Sequence, residues 1–109
     1  MKNSFLHSLN DIPFTLDQLL VFNHIAALGS FKKAADNLYI SQPAVSIQIQ
    51  RLEKQLNVQL LDRKGKQTYL TDAGYLLLSY SEKIIGLCEE TRQSLEELKT
   101  FEKIGRAHV

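Results

Sequence analysis

The segment from Ser41 to Ser46, with the sequence SQPAVS, has the residue types best suited to recognising another molecule. Ser41 is a good helix N-cap, and Pro43 suits a first helical turn, where its missing N–H costs little. On such a helix Gln42 can pair with adenine through its amide, and Ser46 can pair with a donor or an acceptor on a base. The free N–H groups of a helix start also suit a phosphate. In isolation, however, the same segment is more typical of an ordinary capped helix start.

A second candidate is the densest basic cluster, which consists of Arg63, Lys64 and Lys66 around Gly65. These side chains could contact phosphates or enter a minor groove, and the alternative is a simple exposed turn. Residues 1–70 hold 8 Lys+Arg and 5 Asp+Glu, whereas residues 71–109 hold 5 and 7. This asymmetry fits a polyanion-binding part followed by a part with a different task, although surface charge also varies by a few units in any domain.

Other chemistries lack the residues they need. The serines have no His/Asp constellation and the three histidines share no spacing, so we predict neither an enzyme nor a metal site. The single cysteine, Cys88, excludes an intrachain disulfide framework, and we expect it to be buried as a small apolar side chain. Apolar runs are too short for a membrane span, and the N-terminus is a poor signal peptide. We predict a protein without cofactor or membrane partner.

Three short helices must position these residues. The first begins with a capping box of Thr15 and Gln18 and ends at Gly29. The next two begin at the N-caps Ser30 and Ser41. Each has an apolar stripe at helical spacing: Leu19, Phe22, Ile25 and Ala26; Phe31, Ala34, Ala35 and Leu38; Val45, Ile49, Leu52 and Leu56. The face of the third helix opposite its stripe carries Gln42, Ser46, Gln50 and Arg51.

A hairpin and a long helix complete the chain. An extended piece beginning near Val58 and a second from Gln67 to Leu70 flank the polar stretch from Asp62 to Lys66, which predicts a small hairpin. Thr71 caps a helix that we expect to end near Lys103. Apolar residues in this helix follow steps of four and three, which predicts a dimerisation seam that includes Leu77, Tyr80, Ile84, Leu87 and Leu98.

These elements predict an all-α fold with a small β-hairpin wing, a winged helix-turn-helix followed by a long dimerisation (linker) helix. We expect a flexible leader at 1–13 and a winged helix-turn-helix DNA-binding domain at 14–71, with the helix-turn-helix at about 31–50. The linker helix takes 72–103. Residues 104–109 break the heptad pattern and are expected to be a non-native tail, with a natural short variant as the alternative.

The helix-turn-helix residues resemble the signature of LysR-type transcriptional regulators. The resemblance starts with Gly29-Ser30-Phe31-Lys32-Lys33-Ala34-Ala35 and Leu38, and continues through Ser41-Gln42-Pro43-Ala44-Val45-Ser46, Gln48-Ile49, Leu52-Glu53, Leu60-Leu61-Asp62-Arg63 and Leu70-Thr71-Asp72-Ala73-Gly74. It departs at Leu61, where the family usually has Phe, and at Ile47, where many members carry Arg. A narrower resemblance, in Asp11 to Leu19 and Leu87 to Thr91, links the chain to cyanobacterial and plastid regulators of Rubisco operons.

The resemblance implies sequence-specific binding to double-stranded DNA as a homodimer, paired through the long helix. It places Gln42, Pro43 and Ser46 in the major groove, Lys33 on phosphate, and Arg63 and Lys66 at the minor groove and backbone. The full set of candidate DNA-binding residues is Lys33, Ser41, Gln42, Pro43, Ala44, Ser46, Gln50, Arg51, Arg63, Lys64 and Lys66.

Family members continue into an effector-binding domain of two α/β lobes, so we expect this chain to be the DNA-binding half of a regulator. The longer protein would work with RNA polymerase in bacterial cytoplasm or plastid stroma. The alternative is a winged-helix protein-interaction module without DNA binding. The candidate contact residues of the recognition face and wing include no acidic side chain, which favours DNA; they are Gln42, Ser46, Gln50, Arg51, Arg63, Lys64 and Lys66.

Overall fold

The computed structural model describes residues 11–65 and 67–107. Within these ranges the chain forms four helices and one two-stranded hairpin, in the order α1, α2, α3, β1, β2, α4. Their bounds are Leu16–Leu28, Phe31–Leu38, Gln42–Leu56, Leu61–Lys64, Gln67–Leu70 and Asp72–Ala107. We call residues 16–70 the head. The predicted architecture, a winged helix-turn-helix followed by a long helix, is confirmed.

Helix α1 begins and ends at the predicted residues. Thr15 N–H donates to the Gln18 Oε1 atom at 2.9 Å, and Gln18 N–H donates to Thr15 Oγ1 at 3.1 Å, so both halves of the capping box form. Gly29 ends the helix with φ 68°, a left-handed conformation that costs glycine little. Because α2 follows after Ser30 alone, the two helices are closely joined.

The turn between α2 and α3 depends on a residue that sequence reasoning did not single out. Tyr39 adopts φ 58°, and its backbone N–H donates to Asp36, while Ile40 N–H donates to the Ala35 carbonyl at 3.1 Å. This pair of bonds ends α2 in the manner of a Schellman motif. Aromatic residues rarely adopt a left-handed conformation. The sequence around Tyr39 could therefore indicate that the helix ends there, but not that Tyr39 adopts this backbone geometry.

The apolar stripes of the three short helices meet in one core. Leu19, Phe22 and Ile25 of α1 are fully buried, and so are Val45 and Leu52 of α3. The small side chains of α2 let it approach both neighbours closely. Ala26, Leu38 and Leu56 of the predicted stripes are only half-buried, because they lie at the edges of this core.

The hairpin has a shorter turn than the sequence indicates. Strands β1 and β2 pair antiparallel, with Leu61 opposite Leu70 and Lys64 opposite Gln67, so only two residues connect them. Gly65 occupies the first turn position with φ 66°, a conformation that favours glycine. The residues from Asp62 to Lys64, which we had assigned to the turn, therefore lie in β1, because cross-strand pairing continues past their polar side chains.

Helix α4 is held to the head at its first turns. Gly74 N–H donates to the Thr71 Oγ1 atom at 3.0 Å, and a Cβ at Gly74 would overlap the carbonyl oxygen of Leu60. About two turns further on, the buried Ser81 hydroxyl donates to Asn23 Oδ1 of α1. These contacts set the direction in which α4 leaves the head.

The rest of α4 differs from the prediction in two respects. The helix continues to Ala107, beyond the expected end near Lys103, because a break in the heptad pattern removes a packing face but no backbone hydrogen bond. Cys88 is exposed rather than buried, because it lines an open hollow between α4 and the start of α1 instead of entering the core. Among the helices of the described ranges, none is long and apolar enough to cross a membrane.

Candidate nucleic-acid interface

The start of α3 is open to solvent. The Ser41 side chain accepts a hydrogen bond from Ala44 N–H at 3.2 Å and so caps the helix as predicted. Gln42 and Pro43 follow in the first turn and are both exposed, while Ala44 is half-buried. Because the capped turn fixes the backbone, the Gln42 amide is held at a defined position on the surface.

The outward face of α3 continues from this turn. Ser46 is half-buried, whereas Gln50 and Arg51 are exposed. Arg51 lies on the side of α3 opposite the buried stripe, as the spacing in the sequence predicts, whereas Ser46 lies at the edge of the stripe and lines a hollow together with Ile49 and Gln50. The face therefore combines hydroxyl, amide and guanidinium groups on a helix that is firmly packed on its other side.

The hairpin lies beside the start of α3, and the two elements share a polar cleft. The cleft has a volume of about 270 Å³. None of the described residues that line the cleft is acidic; they are Ser30, Phe31, Lys32, Gln42, Arg63, Gly65, Gln67 and Thr68.

Arg63 is the basic residue of the hairpin that the structure ties to the helices. Its guanidinium carbon lies 3.7 Å from the centroid of the Phe31 ring, at the start of α2. A cation over an aromatic face is attracted by the electron density of the ring. The side chain remains exposed, so Arg63 both packs against the helix-turn-helix and keeps its charge at the surface.

Glu53 holds the base of the hairpin, a role that the sequence analysis missed. Its Oε2 atom accepts hydrogen bonds from Leu60 N–H at 2.7 Å and from Leu61 N–H at 3.3 Å. The only signal in the sequence was the position of Glu53 in the family signature, which gave no partner. Because the carboxylate is bonded to the hairpin backbone, it fixes the wing relative to α3.

The remaining candidates are dispersed around this centre. Lys33 is exposed in the first turn of α2, and its backbone N–H donates to the N-cap atom Ser30 Oγ at 3.1 Å. Lys64 is exposed at the end of β1. Lys66 lies outside the described residues. In residues 11–65 and 67–107, no group of three or more His, Cys, Asp or Glu side chains could hold a metal ion.

The predicted seam of α4 divides into two parts. Leu77 packs partly against the core of the head, so its side chain serves the fold as well as any partner. Tyr80, Leu87 and Leu98 are 57%, 63% and 53% exposed, and at about 100° per residue they lie within about 20° of one another around the helix. Ile84 is half-buried. An exposed apolar stripe thus runs along one face of α4.

An ion pair lies on a different face of α4. Arg92 Nη2 donates to Glu89 Oε1 at 2.6 Å, and the hydrogen bond and charge of Arg92 lower the pKa of Glu89 below its ordinary value. Both groups are fully exposed, so solvent screens the pair and it contributes little to stability.

The comparison with known protein families agrees with this geometry. Residues 16–75 match the family described as bacterial regulatory helix-turn-helix proteins, lysR family. The chain belongs to the LysR family. The matched residues include all three short helices, the hairpin and the start of α4.

Similar proteins carry a more specific name. The chain is 65% identical over 94 residues to a protein of Chlorokybus atmophyticus and 60% identical to one of Synechocystis, each named as a probable RuBisCO transcriptional regulator. Each match covers 86% of this chain, and 30% and 27% of the respective relatives. The chain therefore spans less than a third of the length of the curated relatives it matches.

Solved structures with the same fold include protein–DNA complexes. The DNA-binding domain of CbnR in complex with DNA is 32% identical with a TM-score of 0.72, over 77% of this chain and 97% of that one. The DNA-binding domain of BenM in complex with catB site 1 DNA is 33% identical with a TM-score of 0.75, over 77% of this chain and 93% of that one. The LysR-type winged helix-turn-helix fold and the resemblance to Rubisco-operon regulators are thus confirmed.

Proposed function

We propose that this chain is the DNA-binding half of a LysR-type transcription regulator, and that it binds a dyad operator sequence-specifically as a dimer. The observation that carries the proposal is the polar cleft in which the start of α3, the start of α2 and the hairpin converge without a described acidic side chain. A polyanion can approach such a surface without meeting like charge. The DNA in the CbnR and BenM complexes supports the same use of the fold.

Base recognition is assigned to the exposed start of α3. Gln42 and Ser46 lie one turn apart and offer an amide and a hydroxyl, and Pro43 between them is slim enough to approach a base edge. The N-terminal residues of a recognition helix are the ones that reach the bases in helix-turn-helix proteins. The remaining candidates would contact phosphate or the groove walls: Lys33, Ser41, Ala44, Gln50, Arg51, Arg63, Lys64 and Lys66.

Dimerisation is assigned to α4. Its exposed apolar stripe, including Tyr80, Leu87 and Leu98, lies on a face that the head leaves uncovered. The same stripe on a second chain would cover it, which supports a homodimer in which two copies of α4 pair antiparallel. Leu77 and Ile84 would contribute from the end of the stripe nearest the head.

The name of the relatives supports a role in controlling genes for Rubisco, in bacterial cytoplasm or plastid stroma. We infer that the longer protein adds an effector-binding domain and works with RNA polymerase. The chain itself would act by binding rather than by catalysis and would need no cofactor.

Selection from a random duplex pool tests the proposed function. We expect this chain to enrich related sequences with dyad symmetry, and to bind the enriched duplex at least a hundredfold more tightly than a scrambled duplex in fluorescence anisotropy. Equal affinity for both duplexes would contradict sequence-specific binding. The absence of binding to either would favour a protein-interaction module instead.

A further inference from the structure

Ile47 is an exposed aliphatic residue in the middle of the outward face of α3. Its side chain is 46% exposed. At about 100° per residue, it lies about 170° around the helix from the centre of the buried stripe that contains Val45, Ile49 and Leu52. Single exposed apolar residues are common on protein surfaces, so exposure alone carries no meaning. The exposure of Ile47 is informative because its neighbours on α3 are side chains that we assign to DNA contact.

The neighbours of Ile47 define what this position can contact. Pro43 lies one turn before it, and Gln50 and Arg51 lie three and four residues after it, all of them exposed. Pro43 and Ile47 thus form an apolar pair between polar side chains. A ligand that fits this face must offer hydrogen-bonding groups around a small apolar one.

The major groove contains one apolar group of that kind, the C5-methyl group of thymine. An aliphatic side chain has no donor or acceptor, so against any other base edge it would remove polar atoms from water without replacing their hydrogen bonds. We propose that Ile47 is a specificity-determining residue, which packs against a thymine methyl group and selects an A·T pair in one orientation. This inference rests on the proposed function, because it requires α3 to enter the major groove.

Replacing thymine by deoxyuridine tests the contact, since it removes only the methyl group. The probe is the duplex that this chain enriches from a random pool, with the thymines replaced one at a time. We expect one thymine in each half of the dyad whose replacement weakens binding about three- to fivefold, the effect of one buried methyl group. Fluorescence anisotropy measures the change.

Two variants assign that effect to Ile47. Ile47→Ala should weaken binding to the unmodified duplex by a similar factor and make the deoxyuridine replacement at the sensitive position neutral. The matched control is Val58→Ala, because Val58 is an aliphatic residue of similar exposure, 42%, outside the outward face of α3. That control should keep the full sensitivity to deoxyuridine. Both positions are exposed, so neither variant removes a core contact.

The outcomes separate the inference from the proposed function. If no thymine is sensitive, or if the sensitivity persists in Ile47→Ala, the assignment of Ile47 is overturned while sequence-specific binding stands. If the pool yields no enriched sequence, the proposed function and the inference fail together. A sensitivity that disappears in Ile47→Ala and persists in Val58→Ala supports the inference.

Discussion

Gln42 occupies the first position of α3 and lines the polar cleft together with Arg63. Its amide is exposed and free of contact with the core, so truncation changes recognition without disturbing packing. A substitution at Gln42 can therefore show whether this residue recognises a base or only positions α3 on the DNA.

Gln42→Ala is expected to cost roughly 1–3 kcal/mol on the enriched duplex and to relax the preference at one base pair. Binding to random DNA should change little, because the phosphate contacts remain. Anisotropy titrations with both duplexes measure the two effects. Equal losses on the two duplexes would mean that Gln42 only positions the helix.

Residue types at fixed spacing predicted much of this site. The caps at Thr15, Ser30 and Ser41 each form the expected bond, because a cap depends on a few neighbouring residues. The contact between Arg63 and Phe31 could not be read in the same way, since its partners are 32 positions apart in the chain. Their approach follows from how the hairpin packs, which no local pattern encodes.

At the scale of elements, the wing depends on α3 through Glu53. The carboxylate accepts from the backbone N–H groups of Leu60 and Leu61, just where β1 begins. The bounds of β1 could not be predicted from the sequence, because its polar side chains are typical of a loop. Strand pairing is instead fixed by the Glu53 contact and by the turn at Gly65.

Glu53→Gln is expected to lower the free energy of unfolding by about 1–3 kcal/mol, because a charged acceptor of two hydrogen bonds is replaced by a neutral one. Amide exchange at Leu60 and Leu61 should accelerate. Thermal denaturation followed by circular dichroism, together with hydrogen exchange, measures both effects. Glu97→Gln, at an exposed position of α4, is the control and should leave stability unchanged.

The wing also makes a prediction about charge. Each phosphate contact adds about −0.9 to the slope of log K against log salt concentration. Lys64→Ala and Lys66→Ala should each flatten that slope by about one unit per subunit and weaken binding to all sequences alike. Lys99→Ala on α4 is the control. An unchanged slope in the double variant would mean that the wing does not contact DNA.

At the scale of the whole molecule, α4 extends far beyond the head. Its 36 residues span about 54 Å, and the head covers only the first turns. Leu87 and Leu98 are exposed on a face of α4 that no other described element covers. A partner is therefore expected to meet the chain along this face of the helix.

Leu87→Asp combined with Leu98→Asp is expected to convert the dimer to a monomer, because two carboxylates would have to be buried in an apolar seam. DNA binding should weaken at the same time, since two linked heads reinforce each other. Analytical ultracentrifugation at tens of micromolar protein measures the first effect. Gln93→Asp adds a charge on another face of α4 and should preserve the dimer; a monomeric parent chain would contradict the assignment.

The buried bond between Ser81 and Asn23 has a consequence for the operator as well as for the protein. Because it fixes the angle between α4 and the head, a pair of chains joined through α4 would hold two recognition helices at one set separation. One base pair inserted at the centre of the DNA site shifts its halves by about 3.4 Å and rotates them by about 36°. We therefore expect the spacing between half-sites to depend on a hydroxyl and an amide that lie outside the proposed DNA-contacting surface.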